Sequence, residues 1–165
     1  MTSAPPPPSG WTLAPVIPAG QQQAQETVIG YLTKTVQALP PGTTLDQTRY
    51  RVGSGNRSCD DNPTGDDVPE TMYTDVRQVL VPVGADNAAL IGQVGDIWSG
   101  WGWYVFERED FPRPNRFGYG PDGYRLQIES TTPPEQPPTI SGISPCFPGE
   151  VAGDELPVPV VLPET

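Results

Sequence analysis

Hydrophobic residues recur at helical spacing in two stretches of the chain. In the first, residues 21–39, the apolar positions are Ala24, Val28, Ile29, Leu32, Val36 and Leu39. The sequence Pro40-Pro41-Gly42 ends that pattern, as expected at a helix C-terminus. The second stretch follows Asp86, a residue type favoured at helix N-caps, and its apolar positions are Leu90, Ile91, Val94, Ile97 and Trp98. The two patterns predict two helices, each with one apolar face.

Strands are predicted where hydrophobic and polar residues alternate or where β-forming residues cluster. The clearest alternation follows the turn Pro121-Asp122-Gly123, where Tyr124, Leu126 and Ile128 share one face and Arg125, Gln127 and Glu129 the other. Similarly, Trp103 and Val105 are expected to face away from Tyr104 and Phe106. The strands are predicted over residues 49–52, 72–81, 103–107, 124–129 and 140–143.

The order of these elements, α-β-β-α-β-β-β, indicates the fold class. Strands with one polar face are typical of antiparallel sheets, and each helix has one apolar face to bury. We therefore predict an α+β fold, a two-layer sandwich in which an antiparallel sheet of about four to five strands packs against two helices.

Proline and glycine distinguish the flanks from the middle of the chain. They make up 23 and 18 of the 165 residues. We expect a Pro-rich tether over residues 1–20, a single α+β domain over residues 21–148, and an extended Pro-rich tail over residues 149–165. No apolar run approaches the roughly 20 residues that span a bilayer.

Charge and the absence of histidine narrow the function. The net charge of −11, from 20 acidic and 9 basic residues, argues against a nucleic-acid partner and against electrostatic docking on an anionic bilayer. Without histidine, the chain has no imidazole acid–base catalyst, no Ser–His or Cys–His pair and no His-ligated metal site. We expect no cofactor and no metal.

Cys59 and Cys146 are the only cysteines, and they form no CxxC pair. They are either buried thiols or, in an oxidising compartment, a disulfide. A bridge closing so long a loop would stabilise the fold by about 4–5 kcal/mol in the chain-entropy model. The Pro-rich tether over residues 1–20 also suggests an exported and anchored chain. We therefore predict the disulfide.

Several short motifs together resemble one family. They are Ala38-Leu39-Pro40-Pro41-Gly42, Cys59-Asp60, Trp101-Gly102-Trp103, Gly123-Tyr124-Arg125-Leu126-Gln127-Ile128 and Ser144-Pro145-Cys146-Phe147. Over roughly residues 21–149 they resemble the small mycobacterial LppA-type lipoproteins and related actinobacterial cell-envelope lipoproteins. The resemblance implies export, a paired Cys59 and Cys146, a lipidated N-terminal cysteine on the outer face of the plasma membrane, and no assigned catalytic activity. We expect the native precursor to carry a signal peptide and the lipidated cysteine immediately before Thr2.

Four groups of residues offer candidate chemistry. An aromatic cluster, whose members Trp98, Trp101 and Tyr104 are candidate ligand contacts, also contains Trp103 and Phe106; core packing is the favoured interpretation. The basic group Arg113, Arg116 and Arg125 either meets an acidic partner or balances nearby acids.

The carboxylates Glu107, Glu109, Asp110 and Glu129 are candidates for glycoside hydrolysis. The acidic stretch Asp60, Asp61, Asn62, Asp66, Asp67 and Glu70 supplies oxygen ligands for Ca²⁺, although a solvated loop is favoured.

These observations favour a non-catalytic exported envelope lipoprotein that acts as an accessory or binding module. Its expected partner is another envelope or membrane protein. The alternative is a carrier or sensor of a small apolar or glycan ligand, held in a pocket lined by Trp98, Trp101 and Tyr104. A carboxylate-based hydrolase is a third and more distant alternative. The terminal Leu162-Pro163-Glu164-Thr165 resembles a sortase signal but lacks the following apolar span, so we treat it as a coincidence.

Overall fold

The computed structural model describes residues 4–51, 54–59, 70–82, 84–133, 135–149 and 157–163. Within them the chain forms two helices, α1 (Gln21–Gln37) and α2 (Asn87–Gly100). The same residues form nine strands: β1 (Thr44–Asp46), β2 (Gly55–Ser58), β3 (Glu70–Leu80), β4 (Tyr104–Phe106), β5 (Asn115–Tyr119), β6 (Arg125–Glu129), β7 (Thr139–Ile143), β8 (Phe147–Pro148) and β9 (Val161–Leu162).

All nine strands belong to one open antiparallel sheet. Its main path runs β4-β5-β6-β7-β3-β1-β9, and β2 and β8 pair with β3 outside that path. The long strand β3 is therefore the centre of the sheet. It pairs with β1 and β7 towards its C-terminal end, and with β2 and β8 towards its N-terminal end.

The predicted disulfide is present. Cys59 follows β2 and Cys146 precedes β8, and their Sγ atoms are bonded. The bridge therefore links the two short strands that pair with the N-terminal end of β3. Each short strand has few ladder hydrogen bonds of its own, so the covalent link holds both to the central strand.

Both helices cover the same face of the sheet. Gly118, Leu126 and Gly142 are directly paired on β5, β6 and β7 and so point to one face. A Cβ added at Gly118 would lie 2.8 Å from Trp98 of α2, and one added at Gly142 would lie 2.7 Å from Val28 of α1. We call this the covered face and the other the open face. The α+β class is thus confirmed.

The two predicted helices are confirmed with small differences at their ends. Helix α1 begins at Gln21 as expected and ends at Gln37, two residues before the predicted end. Helix α2 is capped by Asp86, whose Oδ1 accepts hydrogen bonds from the Ala88 and Ala89 amides at 2.9 and 3.2 Å. The apolar residues Val28, Leu32, Ile91, Val94 and Trp98 are buried, as their spacing predicted.

The predicted number of four to five strands is too low. Of the predicted strands, residues 72–81, 103–107, 124–129 and 140–143 correspond to β3, β4, β6 and β7. The strand predicted over residues 49–52 is wrong where the structure describes it, because Thr48–Tyr50 form a 3-10 turn between β1 and β2. Residue 52 lies outside the described residues. Strands β1, β2, β8 and β9 have only two to four residues, too few positions to show an alternating pattern.

Strand β5 is also missing from the sequence prediction. Prolines at 112, 114 and 121 surround it, and proline is uncommon within strands. Its burial does not alternate, because Phe117 and Gly118 are both buried although they point to opposite faces. Phe117 lies beneath Phe111 and Arg108 on the open face, while Gly118 leaves room for Trp98 on the covered face.

The flanking segments contact the central part of the chain. Residues 4–20 contain no helix or strand, but the Ala14 and Val16 amides donate to the Pro121 and Asp122 carbonyls at 2.7 and 2.8 Å. Near the other end, β9 pairs with β1 and buries Leu162. The domain limits given above remain predictions. Among the described residues, neither helix is long and apolar enough to cross a bilayer.

Two glycines allow a direct test of the packing between α2 and the sheet. In Gly118→Ala the new methyl group would lie 2.8 Å from the fully buried Trp98 ring. We expect the free energy of unfolding to fall by about 1–3 kcal/mol, because the ring has no space to move into. Chemical denaturation measured by far-ultraviolet circular dichroism gives this value.

Gly30→Ala is the matched control for this substitution. Gly30 is exposed within α1, and a Cβ there has no neighbour within 4 Å. Alanine should therefore raise the free energy of unfolding by about 0.5–1 kcal/mol, because it favours the helical backbone. Equal effects of the two substitutions would contradict the packing described here.

Candidate functional site

The three aromatic candidates do not line one pocket. Trp98 is fully buried on the covered face, and its indole N–H donates to Thr35 Oγ1 of α1 at 3.1 Å. Trp101 follows α2 and stacks on Tyr31, with Lys34 Nζ 4.5 Å from its ring centroid. Tyr104 pairs with Tyr119 on the open face, so the sheet separates it from Trp98. The pocket expected between these three residues is not formed by them.

The rings on the covered face are closely packed. Tyr31 contacts Trp101, Trp103 and Tyr124 with centroid separations of 4.9–5.9 Å. The Tyr31 hydroxyl donates to Asp122, and burial together with this hydrogen bond raises the pKa of Tyr31. A Cβ at Gly120 would lie 2.9 Å from Trp103, so the ring fills the space above this glycine. Such packing favours a core role for this cluster.

Arg113 and Arg116 balance nearby acids. Arg113 Nη2 lies 3.2 Å from Glu109 Oε1, and Arg113 Nε lies 3.9 Å from Glu107 Oε1. Arg116 Nη1 lies 3.3 Å from Glu107 Oε2, and its aliphatic stem packs against Gly95 of α2. These two arginines and two glutamates form one partly exposed network. Of the two interpretations of the basic group, the structure supports charge balance for Arg113 and Arg116.

Arg125 differs from the other two arginines. It lies on the open face of β6, is half-buried, and its Nε is sealed from solvent without a hydrogen-bond partner in the described residues. No described carboxylate forms an ion pair with it. Burial lowers the pKa of Arg125, and the neighbouring Arg108 lowers it further, whereas Tyr119 raises it. The guanidinium is therefore a partly desolvated cation beside a second cation.

Aromatic rings lie near these two cations on the open face. Phe106 stacks on Tyr119 with a centroid separation of 5.5 Å, and Tyr104 lies 4.9 Å from Phe106. Arg108 Nη1 donates to the Tyr119 hydroxyl at 3.1 Å, and the same guanidinium pairs with Asp110 at 3.3 Å. We name the group Tyr104, Phe106, Arg108, Tyr119 and Arg125 the open-face patch.

The N-terminal segment reaches the border of the open-face patch. The Trp11 ring contacts Tyr104 edge-on at 5.4 Å, and the Trp11 indole N–H donates to the Tyr119 carbonyl at 3.0 Å. The Tyr104 hydroxyl donates to the Pro5 carbonyl. Residues 5–11 therefore lie against the β4 side of the patch, whereas Arg125 lies on the far side of Tyr119, towards β7.

The carboxylate candidates do not form a catalytic pair. Glu107, Glu109 and Asp110 are each in an ion pair with an arginine. Glu129 stands apart, on the open face at the end of β6. Burial raises its pKa, and a hydrogen bond with Gln127 partly opposes that shift. Three of the four candidates are engaged in ion pairs and the fourth stands apart from them, so the geometry gives no support to glycoside hydrolysis.

The calcium hypothesis falls mostly on residues that the structure does not describe. Asp60, Asp61, Asn62, Asp66 and Asp67 lie outside the described residues, and Glu70 begins β3. Among the described residues there is no group of three or more side chains arranged to hold a metal ion.

A buried ion pair on the covered face of β3 was not predicted from the sequence. Arg77 Nε lies 2.6 Å from Asp75 Oδ1, and both side chains are fully buried. Gln47 Nε2 and the Tyr73 hydroxyl donate to Asp75 Oδ2 at 3.1 and 3.2 Å. Arg77 Nη1 donates to the Val160 carbonyl at 3.0 Å. The alternation of Tyr73, Asp75, Arg77 and Val79 along one strand face was the available signal, but charged residues on a strand are ordinarily assigned to the solvent face.

Comparison with known proteins gives no identification: no family model, curated protein or solved structure matches the chain. The resemblance to LppA-type lipoproteins therefore remains a prediction that rests on the short motifs quoted above.

The raised pKa of Glu129 predicts a pH-dependent effect of Glu129→Gln. The folded state binds the Glu129 proton more tightly than the unfolded state, so this group stabilises the fold below its unfolded pKa. That contribution is lost as the pH rises through the raised folded pKa. At pH 7 the ionised, half-buried carboxylate opposes folding, and Glu129→Gln should raise the denaturation midpoint.

This rise in the denaturation midpoint should disappear near pH 3.5, because Glu129 of the wild type is then protonated and uncharged, like the glutamine of the variant. Urea denaturation at both pH values measures it, and Asp96→Asn, at an exposed carboxylate on α2, is the control. A gain of the same size at both pH values would show that the charge of Glu129 is not its cause.

Proposed function

We propose that this chain is a non-catalytic binding module of a bacterial cell envelope, exported and lipid-anchored in its native form. In this proposal the open-face patch docks an acidic surface of another envelope or membrane protein. The observation that carries the proposal is the half-buried Arg125, which has no described carboxylate partner although acids outnumber bases by 20 to 9 in the chain.

Charge complementarity supports an anionic partner. Arg108 and Arg125 bring two positive charges to the open-face patch, and among the described residues only Asp110 forms an ion pair with either of them. A carboxylate approaching the Arg125 guanidinium would compensate its charge and offset the repulsion from Arg108. Because the guanidinium is already partly desolvated, the attraction would be stronger there than at an exposed arginine.

The aromatic members of the patch supply contact area. Tyr104, Phe106 and Tyr119 are partly exposed rings on a face that neither of the described helices covers. Tyrosine and arginine are enriched where protein interfaces concentrate their binding energy, since they combine apolar area with hydrogen-bonding groups. Such a surface suits a protein partner that presents carboxylates beside apolar side chains.

Export is supported by the disulfide and by the resemblance. A bridge between Cys59 and Cys146 persists in oxidising compartments and is uncommon in the cytosol. The motifs that resemble LppA-type lipoproteins imply an outer-face lipid anchor, with the residues before α1 as the spacer. The contacts of residues 5–16 with β4, β5 and the following turn would orient the open face relative to that anchor.

The absence of catalysis is also part of the proposal. The chain has no histidine, and its candidate carboxylates Glu107, Glu109 and Asp110 are held by arginines. The alternative, a carrier with its ligand beneath Trp98, is less well supported because the rings of the covered face pack closely against Gly118 and Gly120. A binding surface accounts better than a ligand carrier for Arg125, whose charge no described carboxylate compensates.

The test uses Arg125→Gln with Arg113→Gln as the matched control. Arg113 is exposed and already paired with Glu107 and Glu109, so its loss should leave binding unchanged. A hexaglutamate peptide is the probe, with hexaglutamine and hexalysine as charge controls. We expect hexaglutamate alone to shift the amide resonances of Tyr119, Arg125 and Ser141, and Arg125→Gln to weaken binding at least tenfold, or about 1.4 kcal/mol.

Photo-crosslinking from position 127 in native envelopes then identifies the partner, since Gln127 neighbours Arg125 on the open face. The proposal predicts one protein crosslinked in the wild type and lost in Arg125→Gln. Equal hexaglutamate binding by the Arg125 and Arg113 variants would overturn it. Binding of an acidic oligosaccharide in place of the peptide would reassign the patch to a glycan ligand and would also reject a protein partner.

A further inference from the structure

A cavity of about 310 Å³ opens on the opposite side of β3 from β7, between the 3-10 turn and the C-terminal segment. Its walls come from the turn after β1, from Tyr73 of β3 and from residues 157–160. It is separate from the aromatic cluster and from the open-face patch. The volume suits a small organic molecule rather than a folded partner.

One wall of the cavity is apolar and consists of the C-terminal residues Pro157, Val158 and Val160. Hydrogen bonds hold this wall in place. The Val160 carbonyl accepts from the Gln47 amide at 2.9 Å and from Arg77 Nη1 at 3.0 Å, and the Pro157 carbonyl accepts from Gln25 Nε2 at 3.3 Å. The wall is therefore a defined surface against which a short aliphatic group can pack.

The lining of the cavity presents a hydrogen-bond acceptor. Gln47 is only 5% exposed, and its Nε2 donates to Asp75, which leaves Oε1 as the free end of the amide. No described atom donates to that oxygen. Gln47 Oε1 therefore suits an N–H or O–H donor of a ligand.

A cation also lines the cavity. Arg51 is exposed, lines the cavity and forms no ion pair with a described carboxylate. The pKa of Asp46 is lowered mainly by hydrogen bonds from Thr48, and the charge of Arg51 makes only a minor contribution to that shift. Arg51 is thus available to a negatively charged group that reaches the opening.

We propose that this cavity binds a small aliphatic amino acid or hydroxy acid. Its carboxylate would pair with Arg51, its amino or hydroxyl group would donate to Gln47 Oε1, and its side chain would pack on Val158 and Val160. An aliphatic amino acid or hydroxy acid carries all three of these groups: a carboxylate, a hydrogen-bond donor and an apolar side chain. The proposal is independent of the proposed function, because it concerns a different surface and a different ligand.

The experiment titrates the full chain with L-leucine and follows the Gln47 and Tyr73 amide resonances. Two analogues test the polar contacts: isocaproate lacks the donor group and isoamylamine lacks the carboxylate. We expect saturable shifts with L-leucine and at least tenfold weaker binding of both analogues. Arg51→Gln should also weaken L-leucine binding at least tenfold.

Arg49→Gln is the matched control. Arg49 belongs to the same turn and is equally exposed, but it lies over the Tyr50 ring and does not line the cavity. Val158→Trp, which fills the cavity from its apolar wall, should abolish binding without removing Arg51. The proposal is overturned if neither L-leucine nor 2-hydroxyisocaproate binds, or if the Arg51 and Arg49 variants bind L-leucine equally. Preference for a peptide with a C-terminal leucine over the free amino acid would also reject it.

Discussion

The buried ion pair between Asp75 and Arg77 connects more parts of this fold than any other polar contact described above. It lies on the central strand β3, on the face that α1 covers. Two charges without water are costly to bury, and they are tolerated only when every donor and acceptor has a partner. Asp75 accepts from Arg77, Gln47 and Tyr73, and Arg77 also donates to the Leu45 and Val160 carbonyls.

The consequence of this network is that distant parts of the chain share one set of hydrogen bonds. Leu45 belongs to β1, Gln47 begins the 3-10 turn, and Val160 precedes β9. The two short strands β1 and β9 and the turn would otherwise be held by few ladder contacts. The ion pair thus fixes the C-terminal segment on the sheet, and with it the apolar wall of the cavity. At the N-terminal end of β3, the disulfide holds β2 and β8 on the sheet.

The sequence is informative where a periodic pattern is long and one face is buried. Helices α1 and α2 and the strands β3, β4, β6 and β7 follow from such patterns, and the N-cap at Asp86 follows from residue type. Strands β1, β2, β8 and β9 do not, because they exist only through pairing with residues far along the chain. Strand β5 is hidden because tertiary contacts bury both of its faces around Phe117 and Gly118.

At the candidate site, too, the sequence does not reveal which residues the fold brings together. In the sequence Arg113, Arg116 and Arg125 look chemically alike. Only the fold separates the two that meet glutamates from the one on the open face. Similarly, Trp98 and Tyr104 are six positions apart but lie on opposite sides of the sheet. The Asp75–Arg77 pair is the largest omission, since charged residues at alternate positions of a strand resemble a solvent-facing pattern.

The most direct test of this account is a double-mutant cycle on the buried pair, with Asp75→Leu, Arg77→Met and the double variant. Each single change leaves one charge buried without its partner and should lower the free energy of unfolding by about 3–5 kcal/mol. The double variant should lose less than the sum of the two, and in Arg77→Met the Gln47 amide, which donates to Val160, should exchange faster with solvent. Additive losses together with unchanged Gln47 exchange would contradict the claim that this pair organises the fold.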